Sequence, residues 1–198
     1  MKKRTLEMKL ERLEGFSSPD PQREQYMTPA TVASELLYWA LMRGDLDSVL
    51  DLGCGTGTLA IGAALLGSRS TGVELDSRAI RTARENAVQL GVHVDFIRGD
   101  VATIALKEPA TVIMNPPFGA QKGSPGDRVF LRKAMEIGDV IYSIHNAGSE
   151  EFIRRFVEPC EVKEVRKITF PLKRCFEFHS KDVKIIEVEL YRIVCRKE

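Results

Sequence analysis

The chain has 198 residues, 43% of them hydrophobic, which is enough to fill one core, so a single domain is expected. Lys plus Arg number 29 against 28 Asp plus Glu, a net charge of +1, so the field of the whole molecule does not attract anions and any anionic partner has to meet a local patch. The opening MKKRTLEMKLERLEG has no uninterrupted apolar stretch of signal-peptide length, and no later segment approaches the roughly 20 apolar residues that span a bilayer, so a cytoplasmic protein is expected.

Residues 1–24 form a basic N-terminal extension carrying Lys2, Lys3, Arg4, Lys9 and Arg12, either a frayed terminus or a patch for RNA; residues 25–198 form the main body. Thr28 and Pro29 ahead of ATVASELLYWALM predict a helix with Thr as N-cap, Pro at the first helical position and Gly44 at the exit. Short apolar runs near Val49, Val73, Phe96 and Ile113 predict strands, separated by helical stretches such as Thr58 to Leu66 and Ser77 to Leu90. Strands alternating with helices imply a parallel sheet covered on both faces. A helix from Arg128 to Ile137, a strand from Val140 to His145 and a helix begun by Ser149 with two glutamates in its first turn continue the pattern. EVRKITFPL and VKIIEVELYRIV are then two long β-like runs around a basic loop. The four cysteines, Cys54, Cys160, Cys175 and Cys195, are scattered without a C-x-x-C pair, so reduced thiols are expected, with neither a structural metal nor a disulfide.

DLGCGTGTLA places Gly53, Gly55 and Gly57 between a strand and a helix, where absent β-carbons let the backbone approach a ligand. Glycines alone also serve tight turns, and the spacing here is G-x-G-x-G after Asp51 rather than the G-x-G-x-x-G of nicotinamide dinucleotide folds. Glu74 closes the next strand, where a carboxylate can accept from both hydroxyls of a ribose, and Asp100 ends the third, placed to accept from an adenine amino group. Singly, each could be a solvated strand-end acid; together they outline an adenosine pocket. Here the chain resembles the class I S-adenosylmethionine-dependent methyltransferases, closely so from Ser48 to Phe118. The resemblance implies a Rossmann-like α/β fold: a mostly parallel seven-stranded sheet, helices on both faces and an antiparallel C-terminal hairpin. It makes the chain one methyltransferase domain with residues 25–198 as its catalytic core.

After the fourth strand stands Asn115-Pro116-Pro117-Phe118. The amino group of a base is a poor nucleophile because its lone pair is delocalised into the ring. Acceptors that grip its two protons localise that pair, and the Asn115 side-chain oxygen and the Pro116 carbonyl can be those acceptors. Prolines fix φ and remove donors, so the loop presents carbonyls in a rigid arc, and Phe118 can stack on a planar target. Such a transfer needs alignment more than acid–base chemistry, in keeping with the lack of an evident Ser-His-Asp or Cys-His set. The motif resembles the amino-group methyltransferase signature [DNS]-P-P-[YFW]. Carbon-5 pyrimidine methylation would need a cysteine in this loop, and none lies between Cys54 and Cys160.

EQYMTPATVA upstream of the first helix, NPPFG, VIYSIH, FEFH and VKIIEVELYR, in this order, make the chain similar to the small rRNA adenine-N6 methyltransferases of the methyltransferase-like protein 5 family and their archaeal relatives, from about Leu13 to Arg192. The resemblance implies cofactor contacts from Gln25, Tyr26, Thr28, Asp51, Gly53, Gly55, Thr56, Gly57, Thr58, Glu74, Asp100, Val101 and Asn115. It implies an adenosine of small-subunit rRNA as substrate and a small zinc-containing activator protein as partner in a heterodimer. Arg166, Lys167, Lys173, Arg174 and Lys181 interleave with Phe170, Phe176, Phe178 and His179, a mixture suited to single-stranded or flipped bases; the alternative is a solvated loop with its phenylalanines turned into the core. His145 is expected to be a hydrogen-bonded structural histidine. A protein glutamine-N5 methyltransferase, and a noncatalytic RNA-binding or assembly factor with this fold, are the alternatives.

Overall fold

A computed structural model of the chain describes residues 1–20, 23–105, 110–118, 126–173 and 183–195. The elements run α1 (Lys3–Leu10), α2 (Ala30–Met42), β1 (Ser48–Leu52), α3 (Thr58–Leu65), β2 (Arg69–Glu74), α4 (Ser77–Leu90), β3 (Asp95–Arg98), β4 (Ala110–Met114), α5 (Gly126–Ile137), β5 (Gly138–Asn146), α6 (Glu150–Phe156), β6 (Glu161–Lys173) and β7 (Val183–Val194). They build a seven-stranded sheet in the order β3-β2-β1-β4-β5-β7-β6. The strands β1 to β5 are parallel, and β7 runs antiparallel between β5 and β6, as the sequence predicts.

Alternation along the strands gives each face its own core. Val49, Ile113, Tyr142, Ile144 and Leu190 join α1, α2, α3 and α4 on one face. Leu50, Val112, Met114, Ile141 and Tyr191 meet α5 and α6 on the other. Because β4 pairs with β1, the loop that follows β4 emerges beside the loop that follows β1. Among the described residues no helix is long and apolar enough to cross a membrane.

Three local expectations are corrected. The N-terminal basic segment is not frayed: α1 turns Leu6 and Leu10 fully into the core while its lysines stay outside. Pro29, not Thr28, caps α2, because the Thr28 hydroxyl is engaged elsewhere (below) and makes no cap bond. Cys160 and Cys195 form a disulfide. Their neighbours Glu161 and Val194 are partners in the β6–β7 ladder, which brings the two cysteines to a Cα–Cα distance of 4.4 Å across a sequence separation of 35. Cys54 is a buried free thiol, and Cys175 lies outside the described residues.

Ser149 stands before α6 as expected, yet its side chain makes no cap bond. Buried Glu189 of β7 instead accepts the Gly148 and Ser149 N–H groups, at 3.1 and 3.2 Å, and the Tyr191 hydroxyl. Leu10→Ala removes a fully buried side chain from α1 and is expected to lower unfolding free energy by about 2–5 kcal/mol in urea titrations. A loss within the experimental error would mean that α1 is not part of the folded core.

Candidate active site

The glycine loop turns from β1 into α3 with positive φ at Gly53, Gly55 and Gly57, and at Gly57 (φ 91°), the N-cap of α3, a side chain would be strained. A β-carbon on Gly55 would come within 2.7 Å of the Phe16 ring, so that ring lies directly on the loop. Asp51, 1% exposed, reaches across the loop to accept the Ala60 N–H at 3.0 Å. Burial pushes its carboxyl up to about 8; the Ala60 bond opposes this and the nearby Glu74 charge adds to it. A cation in the pocket would draw this group to its ionised form. Glu74 spans two turns, accepting the Gly55 N–H at 3.0 Å and the Asp76 N–H at 2.8 Å. Asp100 accepts from the Ala102 N–H at 2.9 Å and Val101 is buried beside it.

These strand ends open on a cavity of about 580 Å³, within the range of small-molecule sites. Its walls hold Asp51, Gly53, Gly55, Thr56, Thr58, Glu74, Asp100 and Val101 together with Gln25, Tyr26, Thr28 and Asn115, residues far apart in the chain. Gly57 is absent from the wall and serves the turn instead. The Thr56 hydroxyl is buried without a partner, a polar group left for a ligand to satisfy. An adenosine-bearing sulfonium cofactor fits these groups: Glu74 and Asp100 for hydroxyls and amino group, and buried Asp51 for positive charge.

The segment before α2 lies along the same cavity. Gln25 accepts the Asp20 N–H at 2.9 Å and donates to Asp76 at 3.2 Å, so its amide fastens the segment to the start of α4. Burial pushes Asp76 up, but bonds from Arg78 and Gln25 outweigh it and hold the carboxyl at about 2, keeping the fastening charged. The half-buried Tyr26 ring packs on Phe118 and Phe170, with centroids 5.8 and 5.9 Å away, and desolvation followed by the Glu24 charge pushes its phenol well up. Thr28 Oγ1 accepts from Asn115 Nδ2 at 3.0 Å. Asn115 Oδ1 is buried without a partner. Pro117 shares the cavity wall with Asn115, Pro116 is buried behind it, and Phe118 is half-buried.

Other residues at the site had no motif to mark them. Phe16 and Phe130 line the cavity, and the Phe130 ring would meet a β-carbon on Gly53 at 2.7 Å. A lone aromatic in the polar stretch GFSSPD was the available signal for the first. Asn86 of α4 binds Glu14 through both N–H and C=O and also reaches the Thr56 carbonyl, so one buried amide ties the N-terminal segment to the glycine loop.

Of the basic and aromatic set proposed for RNA, Arg166, Lys167, Phe170 and Lys173 fall among the described residues. Arg166 lies 4.3 Å over the Trp39 ring and pairs with Glu35 at 3.2 Å, on the α2 side; Lys3 pairs with the same carboxylate. Lys167 is exposed, 3.9 Å from Glu189, and Phe170 is fully buried. Lys173 ends β6, while Arg174, Phe176, Phe178, His179 and Lys181 lie outside the described residues. His145 is buried and structural, bonded to Asp127 at 3.0 Å and to Ser143. The fold thus lines up a Ser-His-Asp order that sequence spacing did not reveal, but the serine is fully buried and off the cavity wall, so no substrate reaches it.

A carboxyl whose folded-state pKa is raised contributes stability at low pH and loses it as pH climbs from the usual carboxylate value of about 4 through about 8. The ligand-free parent is therefore expected to lose melting temperature over that window more steeply than Asp51→Asn, as followed by scanning calorimetry. Parallel profiles would show that Asp51 is ionised throughout.

The methyltransferase small domain family matches residues 30–136 of the chain. The chain is 40% identical to an uncharacterized protein of Methanocaldococcus jannaschii, covering 98% of this chain and 94% of that one. It is 33% identical to the rRNA N(6)-adenosine-methyltransferase of Drosophila melanogaster, covering 97% and 96%. A solved structure from Pyrococcus horikoshii, described as that of a candidate RNA methyltransferase, superposes with a TM-score of 0.91 at 39% identity over 100% and 99% of the two chains. The chain belongs to the methyltransferase small domain family, S-adenosylmethionine-dependent enzymes of class I fold, and along nearly its whole length to the methyltransferase-like protein 5 group of rRNA N6-adenosine methyltransferases within it.

Proposed function

We propose that this protein methylates the N6 amine of one adenosine in small-subunit ribosomal RNA through the Asn115–Phe118 loop. The observation that carries the reading is Asn115 Oδ1: a buried acceptor with no partner, on a side chain whose nitrogen is already committed to Thr28. A buried unpaired acceptor is costly unless a ligand donor meets it, and an exocyclic amine brings two such donors. One N–H goes to Asn115 Oδ1 and the other to the Pro116 carbonyl. With both protons held, the nitrogen lone pair is withdrawn from the ring and directed at the methyl group; the N–C bond would form as the S–C bond breaks, and the methylated nitrogen then releases one proton to solvent.

S-adenosylmethionine, when bound, supplies a methyl on a sulfonium that leaves as a neutral thioether. Asp51, Glu74 and Asp100, with the backbone of Gly53 and Gly55, the hydroxyls of Thr56 and Thr58, and Val101, would hold it in the cavity under Gln25, Tyr26 and Thr28, while Gly57 shapes the turn. The protein has no bond of its own to make; it aligns the two reactants and excludes water. Phe118 stacks on the flipped base, a contact worth about 1–3 kcal/mol. The basic and aromatic residues from Lys173 to Lys181 meet the surrounding RNA. The resemblance to the rRNA enzymes supports a small zinc-containing activator as heterodimer partner and a cytoplasmic setting. Similarity along 97% of the chain to an rRNA adenosine enzyme favours adenine over the glutamine amide, since the match to a release factor glutamine methyltransferase spans 46% of the chain.

Asn115→Ala is expected to reduce turnover on unmodified small-subunit rRNA by about 100- to 1000-fold. Affinity for S-adenosylhomocysteine, measured by calorimetry, is expected to stay within about threefold, because the cofactor contacts assigned to other residues remain. Full turnover in this variant would remove Asn115 from the mechanism.

A further inference from the structure

Glu24 is the one non-glycine residue among those described with a positive φ, 50°. An ordinary residue stays in the left-handed region only when its surroundings hold it there, and such residues gather at functional sites. The Glu24 carboxylate accepts the Phe118 N–H at 2.7 Å. Phe118 follows two prolines, which have no N–H, so its amide is the first backbone donor after Asn115 by which the loop can be held. A charged acceptor makes that bond about twice as strong as a neutral one would be.

The same short segment grips the loop at two further points, the Thr28–Asn115 hydrogen bond and the Tyr26–Phe118 ring contact. Its other side is cavity wall: Glu24, Gln25, Tyr26 and Thr28 all line the pocket. Gln25 meanwhile pins the segment to Asp76. One stretch of chain is therefore in contact with the cofactor pocket and with both Asn115 and Phe118 of the catalytic loop.

We infer that Glu24 is a positioning residue that couples occupancy of the cofactor pocket to the setting of the catalytic loop, through its hold on the Phe118 N–H. Cofactor packing against residues 24–28 fixes Glu24, Glu24 fixes Phe118, and the loop is then ready for a base. Cofactor binding precedes base binding. The inference rests on the reading of Asn115 to Phe118 as the amine-holding loop, but its test does not require turnover.

The test is hydrogen exchange at the Phe118 amide, followed by NMR with S-adenosylhomocysteine as the probe. In the parent the probe is expected to slow exchange at least about tenfold, within the usual range of coupling between sites. In Glu24→Ala the probe still binds, within about threefold by calorimetry, yet slows exchange at Phe118 little or not at all. Glu24→Gln, which keeps an uncharged acceptor at the same reach, retains part of the effect. Equal slowing in Glu24→Ala and parent, no slowing in the parent, or loss of probe binding in Glu24→Ala would each overturn the inference, the last by making Glu24 a cofactor ligand. Failure of the parent to methylate rRNA would overturn the adenine reading instead and leave the exchange result to decide the coupling.

Discussion

An amide side chain can offer a ligand either its oxygen or its nitrogen, and at Asn115 the nitrogen is the atom that meets Thr28, in a 3.0 Å hydrogen bond. The nitrogen is engaged, so the oxygen is what is left, buried and unpaired at a cost of about 1–3 kcal/mol until a donor arrives. Two prolines then hold the loop in shape without adding donors that would compete for an incoming amine. The rest of the structure serves to keep Asn115 oriented in this way beside an electrophile.

Sheet topology brings the two halves together. The strand β1 lies between β2 and β4, so the order of connection reverses there and the crevice at the carboxyl ends opens between the glycine loop and the Asn115 loop. Electrostatics follow from the same placement. The carboxyl of Asp51, taken out of water at the end of a central strand, is pushed up to about 8, and positive charge entering the cavity would favour its ionised form. Glu74 and Asp76 shape the turn after β2, and through Gln25 that turn also holds the segment in front of α2.

Most of this was legible because the chemistry is written locally. Asp51 to Thr58 and Asn115 to Phe118 carry glycines, acids and prolines whose conformational demands are set by neighbours in the chain, and the alternation of strands and helices follows from the same short-range pattern. What escaped depends on distant partners. Leu6, Leu10 and Leu13 follow helical spacing, but charged residues around them obscured a face that packs on α2 and α3. The Cys160–Cys195 bond follows from the register of β6 and β7, which no spacing announces. The pairing of Arg166 with Glu35 and the Trp39 ring of α2 likewise depends on residues distant in the chain. Glu24 belongs to no motif, and only the fold places it against Phe118.

The central claim is that this loop holds an adenine amine. The most direct measurement is transfer of labelled methyl from S-adenosylmethionine to unmodified small-subunit rRNA, with and without a zinc-containing activator, followed by digestion to nucleosides. The label is expected in N6-methyladenosine from a single position. Label in any other nucleoside, or none in RNA while a protein glutamine becomes labelled, would contradict it.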